Sequence, residues 1–324
     1  MGKSREERQH RDGVSGAAIM ISFPELKVYR TEVFAHLPEQ YRMKGRQSEW
    51  GNANRAGAAL ECFLESPAFD RMGNLYVVDV PFGRIFRVSP AGIFDLVSEY
   101  DGWPYGLKIH KDGRIFIADY RLGILLLDPA SGKVAPLVSR YLPVSLKGAN
   151  DLCFSKTGDL YFTDYGQTDL RDPTGRVFRL TAGGKLECLL DFVPGPNGLT
   201  LNPAENVLYV AATRANAVWR ASIMPDGSLV KVSVFVHLSG GVGPDGMTVD
   251  AEGNVVVAHA GRGIVWIFSK RGEPLCRIES CGSDELSNVA YGGPDARTLF
   301  ITDAEGKILT TRLPVPGHTL YSHR

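Results

Sequence analysis

The sequence has no excess of charge, no long hydrophobic run and few cysteines. Lys and Arg together number 36, as do Asp and Glu, so the formal net charge is zero, which argues against a nucleic-acid-binding protein. No run of about 18 apolar residues is present, so we expect no transmembrane helix and no membrane partner. The five cysteines include no CxxC pair, and the cytoplasm is the expected location.

Two motifs that would indicate other functions are also missing. There is no GxSxG nucleophile elbow, which excludes the usual arrangement of an α/β serine hydrolase. The glycine-rich segment 240–246 lacks the Lys-Ser/Thr pair of a P-loop, so phosphate binding is not indicated. The overall composition, 44% hydrophobic and 22% charged, is otherwise ordinary for a globular protein.

What the sequence does contain is a sixfold repeat. Each unit has two strand-length apolar runs joined by a tight turn rich in Gly, Asn or Asp, which is typical of a β-hairpin. Further strand-length runs follow, and no segment has convincing helical periodicity. Four strands in each of six units predict an all-β fold, a six-bladed β-propeller. The units are 40 to 48 residues apart and begin at Glu65, Tyr105, Asn150, Asn197, Asp245 and Asn288.

The two ends of the repeat suggest how the ring closes. The sixth unit has three strands, the last at 307–312, and lacks an outer strand. Segment 33–37, VFAHL, is similar to segment 234–238, VFVHL, which is the outer strand of the fourth unit. We therefore predict that the N-terminal strand completes the last blade, an arrangement that removes exposed sheet edges.

Two segments lie outside the repeat. Residues 1–20 are polar and charged and are predicted to form a disordered tail, which leaves 21–324 for the propeller. Residues 38–60, which include Trp50, separate the closing strand from the first unit as an insertion. Because the insertion leads into the strand that bears Glu65, we expect it to cover the mouth of the channel.

The first residues of the units are predicted to form one site. The first strand of each propeller blade lines the central channel, so its first residue lies near one end of the axis. Asn and Asp also suit turns before strands, but no turn propensity calls for Glu65 before Ser-Pro. Their oxygen atoms suit a hard divalent cation. The predicted ligands are Glu65, Asn197 and Asp245, and Asn150 faces the same space.

Several segments around these positions resemble the senescence marker protein/gluconolactonase/luciferin-regenerating family. The segments are 64–67 (LESP), 196–198 (PNG), 244–246 (PDG) and 288–293 (NVAYGG). Within that family, segments 106–113 and 162–165 look most similar to the bacterial drug-responsive lactonases.

The resemblance implies a six-bladed propeller that hydrolyses lactones and carries one divalent metal on its axis. By position, Glu65, Asn197 and Asp245 resemble the metal ligands of the family. Asn150 and Asp151 resemble the residues that face the substrate and the attacking water. We expect the cation to be Ca²⁺, with Zn²⁺, Mn²⁺, Mg²⁺ and Fe²⁺ as alternatives.

The sequence is therefore interpreted as that of a metal-dependent lactonase. In this interpretation the metal polarises the lactone carbonyl and activates the water that opens the ring. Asp151 is the candidate general base, and Glu65 and Asp245 are the other candidate catalytic carboxylates.

The substrate side of the predicted site is partly aromatic. Trp103 and Tyr105 are expected to form an aromatic wall, and Asn150 and Asn288 complete the candidate substrate-binding residues. Sugar-lactone members of the family carry an Arg two positions before Asn150, where this sequence has Gly148. The aromatic pair and this departure favour a lactone more apolar than an aldonolactone.

Two other interpretations stay open at this point. The same fold serves non-catalytic propellers that bind a ligand or partner, and it could equally host an isomerase or lyase. The carboxylate pair on the axis favours an enzyme whose partner is a small-molecule lactone. Neither the particular lactone nor the oligomeric state follows from the sequence.

A last set of polar residues is predicted to be structural. Each stands at the end of the second strand of a unit, where a turn residue is expected. They are Asp79, Asp119, Asp164, Asp303 and His259.

Overall fold

The computed structural model describes residues 26–324, and the predicted tail, residues 1–20, lies outside this range. In the described part, one short α-helix, α1 (Glu49–Asn54), accompanies the strands, together with 3-10 turns at Glu39–Tyr41, Val80–Phe82, Thr213–Ala215 and Tyr321–His323. No helix within residues 26–324 has the length and apolar character needed to span a bilayer.

The strands follow one another along the whole described chain. They are β1 (Lys27–Arg30), β2 (Glu32–His36), β3 (Leu64–Phe69), β4 (Leu75–Asp79), β5 (Arg84–Val88), β6 (Phe94–Glu99), β7 (Pro104–Ile109), β8 (Ile115–Asp119), β9 (Gly123–Asp128), β10 (Lys133–Val138), β11 (Arg140–Tyr141), β12 (Val144–Ser145), β13 (Ala149–Phe154), β14 (Leu160–Asp164), β15 (Gly175–Leu180), β16 (Leu186–Val193), β17 (Pro196–Leu201), β18 (Val207–Ala212), β19 (Ala217–Ile223), β20 (Leu229–His237), β21 (Gly243–Val249), β22 (Val255–Ala260), β23 (Ile264–Phe268), β24 (Pro274–Glu279), β25 (Leu286–Gly292), β26 (Thr298–Asp303) and β27 (Lys307–Arg312).

These strands form six antiparallel blades in chain order. The first four blades are β3–β6, β7–β10, β13–β16 and β17–β20, the fifth contains β21–β24, and the sixth contains β25–β27. The innermost strands contact one another in sequence, and β25 contacts β3, so the ring is closed. The predicted six-bladed β-propeller is confirmed.

The N-terminal segment closes the ring as predicted, and it also adds a strand to blade five. β2 pairs with β27 in antiparallel register, with Val33 opposite Leu309, as the fourth strand of blade six. β1, which was not predicted, pairs in parallel with β24 at the outer edge of blade five. The hydroxyl of Thr31, between the two strands, accepts a hydrogen bond from the Cys281 amide (2.8 Å). One N-terminal segment thus links the last two blades.

The hydrophobic core lies between adjacent blades. In β4, Val77 packs in the cluster shared with blade six, and its neighbour Val78 packs in the cluster shared with blade two. Successive strand residues point to opposite faces, so a strand buried on both sides reads as a continuous apolar run. Each fully buried side chain of this kind contributes about 1.5–3 kcal/mol.

The polar residues that end the second strands bind the backbone, as predicted. Asp79 and Asp164 each accept a hydrogen bond from an amide that precedes the innermost strand of the same blade, at 2.7 Å. His259 Nε2 donates to the carbonyl of Gly240 (2.9 Å), and its Nδ1 accepts from Trp266 (3.3 Å). These side chains hold the loops at one end of the channel.

Candidate active site

Every innermost strand carries a one-residue β-bulge where the predicted site residue lies. The register with the second strand shifts between Glu65 and Ala68 in β3 and between Ala149 and Leu152 in β13. The other four innermost strands shift at the equivalent place. A bulge re-aims side chains that would otherwise alternate between the two faces of a strand. It therefore allows two consecutive residues of β13 to reach the channel.

Glycines next to the site residues let the innermost strands approach closely. A Cβ at Gly106 would lie 2.6 Å from the carbonyl oxygen of Asn150 on the next strand. A Cβ at Gly198 would collide with the backbone of Asp245, and one at Gly246 would overlap the side chain of Asn288. The site residues are thus packed against the backbone of the neighbouring blade, which fixes their positions.

Gly246→Ala is therefore expected to displace the Asn288 side chain and to lower kcat/KM by about a hundredfold, since small misplacements in a catalytic site have effects of that size. Gly183→Ala is the matched control, because a Cβ there meets nothing closer than 3.8 Å. Steady-state kinetics on both variants check the prediction. Unchanged kinetics in Gly246→Ala would show that the site tolerates this displacement.

Three buried side chains form a polar cluster on the axis. The amide nitrogen Nδ2 of Asn288 donates to Glu65 Oε2 (3.0 Å) and lies 3.5 Å from Asp151 Oδ2. All three residues are less than 5% exposed. Lys108 Nζ lies 3.6 Å from Asp151 Oδ1. The structure therefore brings Asp151 to the channel and places Asn288 as a spacer between two carboxylates.

Ionisation of the carboxyl groups of Glu65 and Asp245 is unfavourable in the protein environment of this site. The pKa of Glu65 is raised well above its usual range, first by burial and then by repulsion from Asp245 and Asp151. Burial and the charge of Asp151 raise the pKa of Asp245 to about 8, against the opposing effects of Asn197 and Arg214. A bound cation would relieve both the repulsion and the desolvation.

A cavity of about 300 Å³ is lined by Asp245, whereas Glu65, Asp151 and Asn288 are not among its lining residues. Its polar lining includes the predicted residues Asn150, Asn197 and Asp245, together with Arg214. Its aromatic lining consists of Trp50, Phe63, Tyr105, Tyr120 and Tyr165. The cavity therefore joins oxygen donors to an aromatic wall, the combination expected of a site for a small organic ligand.

The aromatic wall differs from the predicted pair of Trp103 and Tyr105. Tyr105 lines the cavity, but Trp103 does not, because it packs behind Tyr120 with the ring centroids 6.0 Å apart. Tyr120 and Tyr165 were missed, although each directly follows the Asp that ends a second strand. That shared repeat position was the signal that could have identified them.

The insertion lies at the edge of the cavity. Its helix α1 begins after Ser48, whose hydroxyl accepts from the Gly51 amide (3.0 Å). Trp50 Nε1 donates to the Tyr105 hydroxyl of blade two (2.5 Å). Asn54 accepts from Gln167 of blade three (2.9 Å). Because Trp50 and Asn54 both line the cavity, the insertion forms part of its wall.

The donor set fits a hard divalent cation. Glu65 and Asp245 supply carboxylate oxygens, Asn150 and Asn197 supply amide oxygens, and neither nitrogen nor sulfur is required. Among residues 26–324, no three His, Cys, Asp or Glu side chains form a metal-binding group. The candidate set has two carboxylates and two amides. Its carboxylates, the buried Glu65 and the partly buried Asp245, repel each other, and a cation between them would relieve this repulsion.

The fold and the axial carboxylates together define a six-bladed propeller with one polar site in its channel. Residues 63–305 match the family described as SMP-30/Gluconolactonase/LRE-like region. The chain belongs to this family, as its sequence motifs predict.

Similar proteins include a lactonase, a gluconolactonase and a calcium-binding protein. Lactonase drp35 of Staphylococcus aureus strain MW2 is 30% identical over 233 residues, which are 68% of this chain and 71% of that protein. A gluconolactonase from Xanthomonas campestris superimposes with a TM-score of 0.70 at 24% identity, over 88% of this chain and 95% of the other. The calcium-binding protein regucalcin from Agrobacterium tumefaciens gives 0.72 at 21%, over 92% and 99%. These structural similarities support the shared fold.

Proposed function

We propose that the protein is a lactonase, which hydrolyses the ester bond of a cyclic ester to give a hydroxy acid. The observation that carries the proposal is a group of neighbouring carboxylates, Glu65, Asp151 and Asp245, of which Asp245 lines an aromatic-walled cavity. Membership of a family that includes curated lactonases supports it. Burial and the charge of neighbouring carboxylates raise the pKa values of Glu65 and Asp245, which suits them to hold a cation beside a reacting water.

Four residues are proposed to hold one divalent cation, and Ca²⁺ suits their oxygen atoms. They are Glu65, Asn150, Asn197 and Asp245. When bound, such an ion polarises an ester carbonyl and lowers the pKa of water.

The proposed reaction assigns further roles to the side chains, and Asn150 has a role in addition to that of cation ligand. Asn150, on the cavity surface, orients the lactone. As water adds to the carbonyl carbon, its proton passes to Asp151. The ring C–O bond then breaks, and the proton is returned to the ring oxygen, which leaves as the hydroxyl group of the product. Tyr105 and Trp50 pack against apolar parts of the substrate.

A panel of lactones, assayed with a pH indicator in the presence and absence of a chelator, tests this function. Acid release that stops on chelation and returns with added divalent metal is the expected result. Ligand binding without acid release would favour a binding propeller, and a product that retains no added water would favour a lyase or isomerase.

Trimming the insertion is expected to change substrate preference more than stability. Met43 N–H donates to the carbonyl of Glu61 (2.9 Å), so the two stems of the insertion are adjacent and residues 44–57 can be replaced by a short glycine linker. Loss of Trp50 and Asn54 from the wall should raise KM for lactones with apolar substituents by about tenfold. Kinetics on the panel and a thermal melt check this, and unchanged KM values throughout would contradict it.

A further inference from the structure

Several polar side chains that line the cavity form hydrogen bonds with other protein groups. Arg55 forms two hydrogen bonds with Glu285, including Nη1 to Oε1 at 2.6 Å. Gln167 is bound to Asn54. The hydroxyl of Thr213 donates to the carbonyl of Pro244 (2.6 Å). These groups maintain the wall and have little capacity left for a ligand.

Arg214 is different. It lines the cavity, and among residues 26–324 no carboxylate lies within ion-pair distance of its guanidinium. Its Cζ atom lies 5.9 Å from the centre of the Tyr165 ring, which lines the same cavity. The aromatic face orients the guanidinium without neutralising its charge.

The backbone makes room for this side chain. Gly195 has a left-handed φ of 63°, and a Cβ there would lie 2.8 Å from Arg214 Cγ and 3.1 Å from the Tyr165 hydroxyl. The Arg214 amide donates to the carbonyl of Pro194 (3.3 Å), which holds the 3-10 turn that carries it. The Arg214 side chain therefore packs against Gly195, just before β17, where the Cβ of any other residue would crowd it.

A cavity-lining guanidinium without an ion-pair partner is suited to a carboxylate, which it can bind through two parallel hydrogen bonds. We propose that the substrate is a lactone that carries a carboxylate substituent, and that Arg214 binds this group. The inference rests on the proposed lactonase function and adds the substrate class. A single guanidinium matches a monoanion, whereas a phosphate dianion would call for a second cation, and the other guanidinium in the cavity wall, Arg55, is paired with Glu285.

The test compares two substrates that differ at this group, 5-oxotetrahydrofuran-2-carboxylate and its uncharged methyl ester. Arg214→Met should lower kcat/KM for the carboxylate by about tenfold or more, chiefly through KM, because a charge-assisted hydrogen bond is lost. The ester should change by less than about twofold. Arg214→Lys, which keeps the charge, should retain part of the preference.

Arg171→Met is the charge-matched control. Arg171 lies in the loop between β14 and β15, its side chain is 91% exposed, and it pairs with Asp169. This variant should leave both substrates unchanged. If Arg214→Met affects the two substrates equally, or neither of them, the assignment of Arg214 is wrong.

Failure of the lactonase function can be told apart from failure of this inference. If the wild-type protein hydrolyses neither compound, binding of the intact carboxylate is measured by calorimetry. Binding to the wild type at least about tenfold tighter than to Arg214→Met then still supports the carboxylate site. Equal dissociation constants, or no binding to the wild type, overturn it.

Discussion

Glu65→Gln and Asp245→Asn are expected to abolish metal binding and to lower lactone hydrolysis by at least about a hundredfold. The two substitutions remove the only charged oxygen donors of the proposed cation site and keep the size of each side chain. Metal content after dialysis and steady-state kinetics measure the two effects. A double variant that keeps one equivalent of metal would contradict the proposed site.

Thermal stability provides an independent readout for the same variants. Burial and repulsion raise the pKa of both carboxyl groups, so their charged forms are unfavourable in the metal-free fold. An uncharged amide should therefore leave the melting temperature of the metal-free protein unchanged or higher. Glu99→Gln, at an exposed position of the outer strand β6, is the control for loss of one charge and should retain both metal and activity.

The fold could be predicted because short local sequence features identify the repeat. Tight turns and apolar runs recur in every blade, and each blade buries both faces of its inner strands against its neighbours. The closing strand β2 could be recognised because it resembles an outer strand of another blade. β1 could not, since its four residues, KVYR, pair in parallel with β24 through backbone hydrogen bonds that need no particular side chains.

Of the site, only the residues at the repeated first position of the innermost strands could be predicted from the sequence. The register position alone identifies Asn150, Asn197 and Asp245, which line the cavity. The direction of a side chain depends on bulges and on contacts between blades that are far apart in sequence. This is why Trp103 packs behind Tyr120 and Asn288 bridges two carboxylates.

The effect of the bulge is largest at Asp151. Adjacent strand residues normally point to opposite faces, so Asn150 and Asp151 could share the channel only if the strand were irregular there. The register shift between Ala149 and Leu152 provides that irregularity. Asp151 Oδ1 accepts from the Leu152 amide (2.7 Å), and its Oδ2 is directed towards Asn288. The carboxylate is thus held in one orientation at the base of the site.

Asp151→Asn is expected to lower kcat by about a hundredfold, because an amide cannot accept the proton of the attacking water, while the bound metal is retained. The matched control is Asp250→Asn. Both aspartates are 2% exposed, but Asp250 accepts hydrogen bonds only within its own turn, from Asn254 and Glu252. Asp250→Asn should lower the melting temperature, because an amide nitrogen cannot accept the hydrogen bond from Asn254 Nδ2, and should leave kcat unchanged. If Asp151→Asn behaves in the same way as this control, Asp151 is structural, and the proton must pass to Glu65 or Asp245.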